Sequence, residues 1–517
     1  MCSLQNIMCR FSLVFVMFST PLAINAATYY VNASASGDSG SGSQSSPKKY
    51  ITSGLNLLSS SGGDTLIIMP GTYSHANDAI TSSSIPNGQA GAYNIIKAQT
   101  DGTVTIDSTF NLTDATASQS RYLQFEGLKW RGPVGNSIVG HHIKILRCAF
   151  EGGPANANSV TFGIGTNNMT PGSTDILIED SWFYGEGGRY NLLIYNSERV
   201  VLRRIVARHD GGWCFNVCGG SGPPEAGVTV YNSRDILLQN VMVIDSDLIY
   251  QYWESTFYII SNGTGPLGQD SRNTVVDGSL SINNRGVSFK FDGSAPVTNA
   301  VIRNSAVYGM GKGFGIALTG NPNSSSTLQN LTLMNTGTGV LVGSSATTNN
   351  LTNSIIQGNT IQAIMDNSGA GSKWTHSNNN CSNNVNNNCR SANETSYNAL
   401  NNGSLYPVRI ETGSTLESAG INGATVGATI LFKLGVSGTL FNDQGVTTTT
   451  SESLWPWPSE SRIKTDMCDE ISTGVADRGW CATNKTLSQY IWEIMGNAMP
   501  GATLPMATPA NVRSVKN

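Results

Sequence analysis

Asp210, Asp245 and Asp247, with Lys290, Arg285 and His209, are the side chains whose types and spacing most invite chemistry in this chain. The densest stretch is Val200–Gly220, VVLRRIVARHDGGWCFNVCGG, which packs three arginines, a histidine, an aspartate, a tryptophan and two cysteines together. That is unusual in a sequence with only 12% charged residues, about half the common share. Carboxylates held side by side repel, so they need a cation, a shifted pKa or water. A hard, oxygen-ligated ion such as Ca²⁺ would resolve the conflict among the three aspartates. Trp182, Tyr184, Trp213, Tyr252 and Trp253 lie nearby in the repeat register, together with Glu186 and Asn284. Flat aromatic faces stack on sugar C–H faces while acids and amides bond hydroxyls, so this set reads as sugar-binding.

These residues are far apart in sequence, and a repeat has to gather them. A six-residue pattern recurs: apolar, any, Asn/Asp/Arg/Gly, small or apolar, any, usually apolar. It starts at Phe125, Ile145, Ile178, Leu202, Leu238, Val276, Ile302, Leu328 and Leu351, in steps of 20 to 38 residues. Self-similarity at this period signals a solenoid. The units are rich in Val, Ile and Leu with turn residues between them, so each is a strand that cannot bury its apolar face alone. The expectation is an all-β parallel β-helix of at least nine coils. Asn240, Asn304, Asn330 and Asn353, with Asp180, occupy the third position, where stacked turns would let amides bond up and down a column. The longest steps follow Ile145, Leu202 and Leu238, and insertions on one face of a solenoid usually build its binding site.

The segment SPKKYITSGLNLLSSSGGDTLIIMPGTYS, with Ser46 as helix cap and Pro47 next, and GSTLESAGINGATVGA at Gly413–Ala428 resemble the entry and exit of the pectate-lyase-like right-handed parallel β-helix superfamily. That resemblance implies a capping helix leading into GDTLIIMPGTY as the first strand. It also implies, through the calcium-dependent polysaccharide lyases of this type, that Asp210, Asp245 and Asp247 hold Ca²⁺ against a uronate carboxylate. Lys290 would then be the base that takes the proton from the adjacent carbon, with Arg285 or the ion lowering its pKa and His209 a further catalytic candidate. The expected activity is β-elimination on a uronate-containing polysaccharide. A glycoside hydrolase using Glu186 with Asp210, or Asp210 with Asp245, is the first alternative. A non-catalytic glycan-binding surface or matrix protein is the second.

The rest of the chain frames that site. The net charge of −4, with no block of Lys or Arg, excludes a basic nucleic-acid footprint. Arg10, the apolar run FSLVFVMF and small residues up to Ala26 read as an export signal too short to span a membrane. A secreted monomer is expected, divided as leader 1–26, β-helix 27–430, C-terminal extension 431–505 and tail 506–517. Of nine cysteines, Cys2 and Cys9 fall in the leader. Cys381 with Cys389 and Cys468 with Cys481 are the natural pairs, and Cys148 is the candidate free thiol. Cys214 and Cys218 could bond only if the chain turns between them. In the extension, Thr486 and Gln489 form a capping box for a helix with the stripe Leu487, Tyr490, Ile491, Ile494 and Met495. That stripe is expected to pack on the solenoid and protect its end. Trp455 and Trp457 are read as packing residues ahead of sugar ligands.

Overall fold

The computed structural model describes residues 26–113, 120–131, 135–152, 160–166, 172–185, 188–210, 225–246, 254–263, 270–343, 348–369, 373–389, 391, 393–469 and 478–501. The leader up to residue 25, the tail from 506, Glu186, Trp213, Cys214, Cys218, Asp247, Tyr252 and Trp253 lie outside them. Three parallel sheets of 14, 12 and 11 strands run the length of the molecule; they are called here the first, second and third sheet. Each coil visits them in that order. Ser173–Glu179 lies in the first sheet, Trp182–Gly185 in the second and Tyr190–Tyr195 in the third, and Glu198–Arg203 returns to the first. This is the expected parallel β-helix.

The third position of the repeat is where the backbone bends from the first sheet into the second. All nine of these residues, Gly127, Arg147, Asp180, Arg204, Asn240, Gly278, Asn304, Asn330 and Asn353, have φ between +47° and +69°. Gly and Asn enter this left-handed region at least cost, which explains their prevalence. The small residue that follows turns inward. Ser279 Oγ accepts the Val241 N–H and Ser305 Oγ accepts the Ser279 N–H, so a buried hydroxyl row stitches successive turns. The interior between the sheets is apolar, with Trp130, Phe150 and Phe183 stacked at centroid distances of 4.8 and 5.2 Å.

The ends differ in detail from the sequence expectation. Thr28–Val31 precedes Thr65–Ile68 in the first sheet, so GDTLIIMPGTY supplies the second coil. The short helix is Ile51–Leu55, led in by Tyr50, not Ser46. Lys48 is tied to the Tyr30 strand by backbone hydrogen bonds, which postpones the helix. Asp38 then accepts the Lys49 and Tyr50 N–H groups at 2.7 and 3.2 Å.

After Asn380–Ser382, the last strand of the second sheet, the chain turns back and runs along the outside of the solenoid. The expected amide column proves to be the docking line for this return. Asn353 Oδ1 accepts the Ile421 N–H and Asn330 Nδ2 donates to the Thr425 carbonyl. Asn304 and Asn240 accept the Thr429 and Leu434 N–H groups at 2.7 and 2.8 Å. At Gly435 a Cβ would collide with the Arg203 guanidinium. The extension carries the expected helix, Leu487–Glu493 with its Thr486/Gln489 capping box, and a second, Glu460–Cys468. Leu487, Tyr490 and Ile491 cover the side of the second sheet, not an end, together with Trp455, Trp457 and Trp480. Disulfides join Cys381 to Cys389 and Cys468 to Cys481, and Cys148 is a buried free thiol. No described helix is long and apolar enough to cross a membrane.

Candidate functional site

The structure divides the sequence-derived candidates between two faces. Asp210, Asp245, Trp182, Tyr184 and His209 all lie under or beside the extension. Asp210 receives the Arg208 guanidinium at 2.8 Å, Arg478 from the extension, and the Gly185 N–H at 3.0 Å. Its side chain has no exposed surface. Asp245 receives Asn283 Nδ2 at 2.5 Å, the Trp480 N–H at 2.6 Å and the Tyr490 hydroxyl at 2.9 Å. Burial raises its pKa, and these hydrogen bonds pull the other way. Gly479 is fitted so closely that a Cβ there would strike the Asp245 carboxylate.

A calcium ion does not fit this arrangement. The oxygens of Asp210 already face two guanidinium groups, whose charge would repel a second cation, and those of Asp245 are spent on the extension. Among the described residues, one group of three ligand-type side chains converges: Cys381, Cys389 and Glu394. Its two cysteines are bonded to each other. The same ion pairing removes Asp210 from the paired-carboxylate arrangement, whose other member, Glu186, is outside the described residues.

The aromatic candidates are likewise part of the packing. Trp182 is fully buried, donates Nε1–H to Asp466 at 3.0 Å and lies 4.6 Å from the Arg462 guanidinium. Tyr184 is buried and donates to Glu151 at 3.1 Å. Their outward direction on the second sheet, which reads as a sugar platform, is the surface that the extension covers. His209 is fully buried with Nε2 at 3.0 Å from the Gly188 carbonyl, and burial pushes its pKa down to about 4. It is a neutral donor to the backbone, not a poised base. Asn284 is also internal, accepting the Ser246 N–H at 2.8 Å and donating to the Val243 carbonyl at 2.9 Å. Arg203 and Arg204 pair with Glu179 and Asp180 inside the same contact.

Lys290 is elsewhere. It stands on the outer face of the third sheet, in register with Tyr258 and Ala317. Its ammonium is 3.1 Å from Asp292 and 4.8 Å from the centre of the Tyr258 ring. Arg285 is exposed on the turn that leads into the same strand. Two coils away, Glu225 binds the Arg189 guanidinium at 2.5 Å and accepts the Tyr190 hydroxyl at 2.8 Å. The Tyr258 hydroxyl is 3.4 Å from Asp292. Burial, then the Asp292 and Glu225 charges, raise the Tyr258 pKa, and burial with Glu225 raises that of Tyr190. Both phenols therefore keep their protons. Among the described residues, the apolar patches on this face contain only residues of the third sheet itself.

Among solved structures the chain is similar to pectate lyase Pel9A, at 15% identity over 78% of this chain and 96% of that one, with a TM-score of 0.41. It is also similar to the Azotobacter vinelandii mannuronan C-5 epimerase AlgE6 A-module, at 14% over 66% and 83%, TM-score 0.40. A third similar structure is described as a glycoside hydrolase, at 8% over 72% and 96%, TM-score 0.34. The chain is a parallel β-helix. No family model matches the sequence, and no curated protein matches it significantly. A β-helix of this kind hosts many chemistries, so the reaction has to be argued from the side chains. Tyr258, Glu225, Arg189 and Tyr190 were missed when the repeat was extended through its turns alone. Aligning STFYII with VSFKFD, where Phe257 and Phe289 point inward in register, puts Tyr258 directly beside Lys290.

Proposed function

We propose that this β-helix is an exported polysaccharide lyase, and that its reacting face is the outer side of the third sheet around Lys290. The observation that supports this most is the contact of Lys290 with Tyr258, on the sheet face that no described element of the extension covers. In this reading Lys290, in its neutral form, takes the proton from the carbon next to a uronate carboxylate. The electrons of that C–H bond form a double bond to the neighbouring carbon as its C–O bond breaks, and Tyr258 supplies a proton to the departing oxygen. Tyr258 is assigned the donor role on its contact with Lys290. Calcium is assigned no step, since Asp210 and Asp245 do not offer it a site.

The test is incubation with polygalacturonate and with alginate, following ultraviolet absorbance of unsaturated ends and, separately, reducing ends. Unsaturated ends are expected, at a rate unaffected by EDTA. Lys290→Ala should reduce the rate by at least a hundredfold. Reducing ends without absorbance would replace the lyase with a hydrolase. Binding with neither product would make the protein a glycan binder.

A further inference from the structure

We propose a second, non-catalytic binding site for the same acidic polysaccharide, on the outer face of the first sheet near its C-terminal end. The proposal rests on the polysaccharide reading above, but on none of the residues used there. One outward column of the first sheet runs Leu177, Val201, Leu237, Val275, Val301, Thr327, Asn350, Thr375 in register. It is apolar where the returning chain covers it, with Leu177, Val201 and Leu237 packed under Val446. From Thr327 onward it turns polar and opens into a hollow of about 430 Å³, lined also by Asn299, Thr348 and Lys373. That volume lies in the range of small-ligand sites.

Thr327 and Asn350, with Thr348 beside Asn350, form a grid, about 4.8 Å from coil to coil and about 7 Å along a strand. Among the described residues, the side chains of Thr327, Thr348, Asn350, Lys373 and Thr375 make no hydrogen bond or ion pair within the protein. The inward neighbours are satisfied: Ser326 Oγ donates to Asn349 at 2.6 Å. A repeating row of free hydroxyls and an amide, parallel to the stack, matches a ligand that repeats hydroxyls along its length. Among the described residues, Lys373 is the only ionisable one lining the hollow, in a chain of net charge −4. This local positive charge selects an acidic polymer over a neutral one. Such a site holds a long chain while another stretch of it reaches the third sheet, which raises avidity without new chemistry.

The experiment compares Lys290→Ala with the triple variant Lys290→Ala, Lys373→Glu, Asn350→Asp for binding to uncut polygalacturonate and alginate by titration calorimetry. Lys373→Glu and Asn350→Asp in the otherwise unaltered chain are assayed on a uronate trisaccharide. The altered positions are exposed, and a thermal melt checks that the fold is intact. About tenfold weaker polymer binding is expected, with turnover of the trisaccharide unchanged. Equal polymer affinity would overturn this site while leaving the lyase reading standing. If the unaltered chain neither binds nor cleaves either polymer, the lyase reading fails and this site fails with it.

Discussion

His209 offers a prediction whose size follows from its surroundings. The imidazole has no exposed surface and sits 3.0 Å from the Gly188 carbonyl, while the backbone N–H of His209 donates to Ser246 Oγ at 3.1 Å. Burial lowers its pKa from 6.5 to about 4, with the Asp210 charge opposing the shift. Above pH 6.5 the ring is neutral in both folded and unfolded chains, and the shift costs nothing. Below 6.5 the unfolded chain takes up the proton first, so stability falls by about 1.4 kcal/mol per pH unit until the folded ring titrates. Across the interval from 6.5 to about 4 the total loss is about 3 kcal/mol. His209→Gln keeps an N–H donor for Gly188 and removes the titration. Urea unfolding followed by tryptophan fluorescence at pH 7.5, 5.5 and 4 should show the variant gaining about 3 kcal/mol on the parent as the pH falls. A difference that stays constant with pH would refute the buried neutral imidazole. Loss of turnover at pH 7.5, with unfolding unchanged, would return His209 to the catalytic role its sequence position suggested.

Asp210→Ala leaves Arg208 buried without its carboxylate, so a loss of about 3–5 kcal/mol is expected in denaturant unfolding. Calcium should not raise the parent's melting temperature; a rise that Asp210→Ala abolishes would restore the metal site. Trp182→Ala should cost about 3–5 kcal/mol by opening a cavity under the extension, with polymer affinity unchanged in calorimetry. Replacing Cys468 and Cys481 by Ala frees a loop of sequence separation 13. The expected cost is about 3 kcal/mol, read as a lower urea midpoint, with the strand signal in far-ultraviolet circular dichroism retained.

The coils were legible because a left-handed turn admits few residue types. Nine third positions of the repeat took the positive φ that their Gly, Asn and Asp residues favour, and the two arginines among them are held there by ion pairs. Arg147 is bound to Asp101 and Glu126, and Arg204 to Asp180. The site was less legible, for a physical reason. Strand periodicity tells which side chains point out of a sheet, but not whether something lies on top of them. Trp182 and Asp245 point outward in every coil-based alignment and are buried by Asp466, Trp480 and Tyr490, more than 230 residues later. The signal for this cover was present: Trp455, Trp457, Trp480 and Trp492 are too many tryptophans for a solvated tail.

The cover itself bears on where chemistry can take place. A solenoid built of three sheets has three long faces, and whichever face is buried under its own chain cannot hold an extended polymer. Tyr184, Met242, Ile244, Leu280 and Ile282 of the second sheet pack against the extension, which closes that face from the Ala149 coil to the Ala306 coil. On the first sheet the returning chain lies over Leu177, Val201 and Leu237, leaving its C-terminal end. No described residue of the extension packs against the apolar patches of the third sheet, whose outer side carries Arg189, Glu225, Tyr258, Lys290 and Asp292. Acids that look most catalytic in the sequence are thereby assigned to holding the cover, since each of Asp210 and Asp245 is bonded to a residue of the extension. Detaching that cover, by Arg478→Ala combined with Tyr490→Phe, should loosen the extension and lower stability before it alters turnover at Lys290. A variant that loses turnover while its unfolding midpoint is unchanged would place the chemistry back beneath the second sheet.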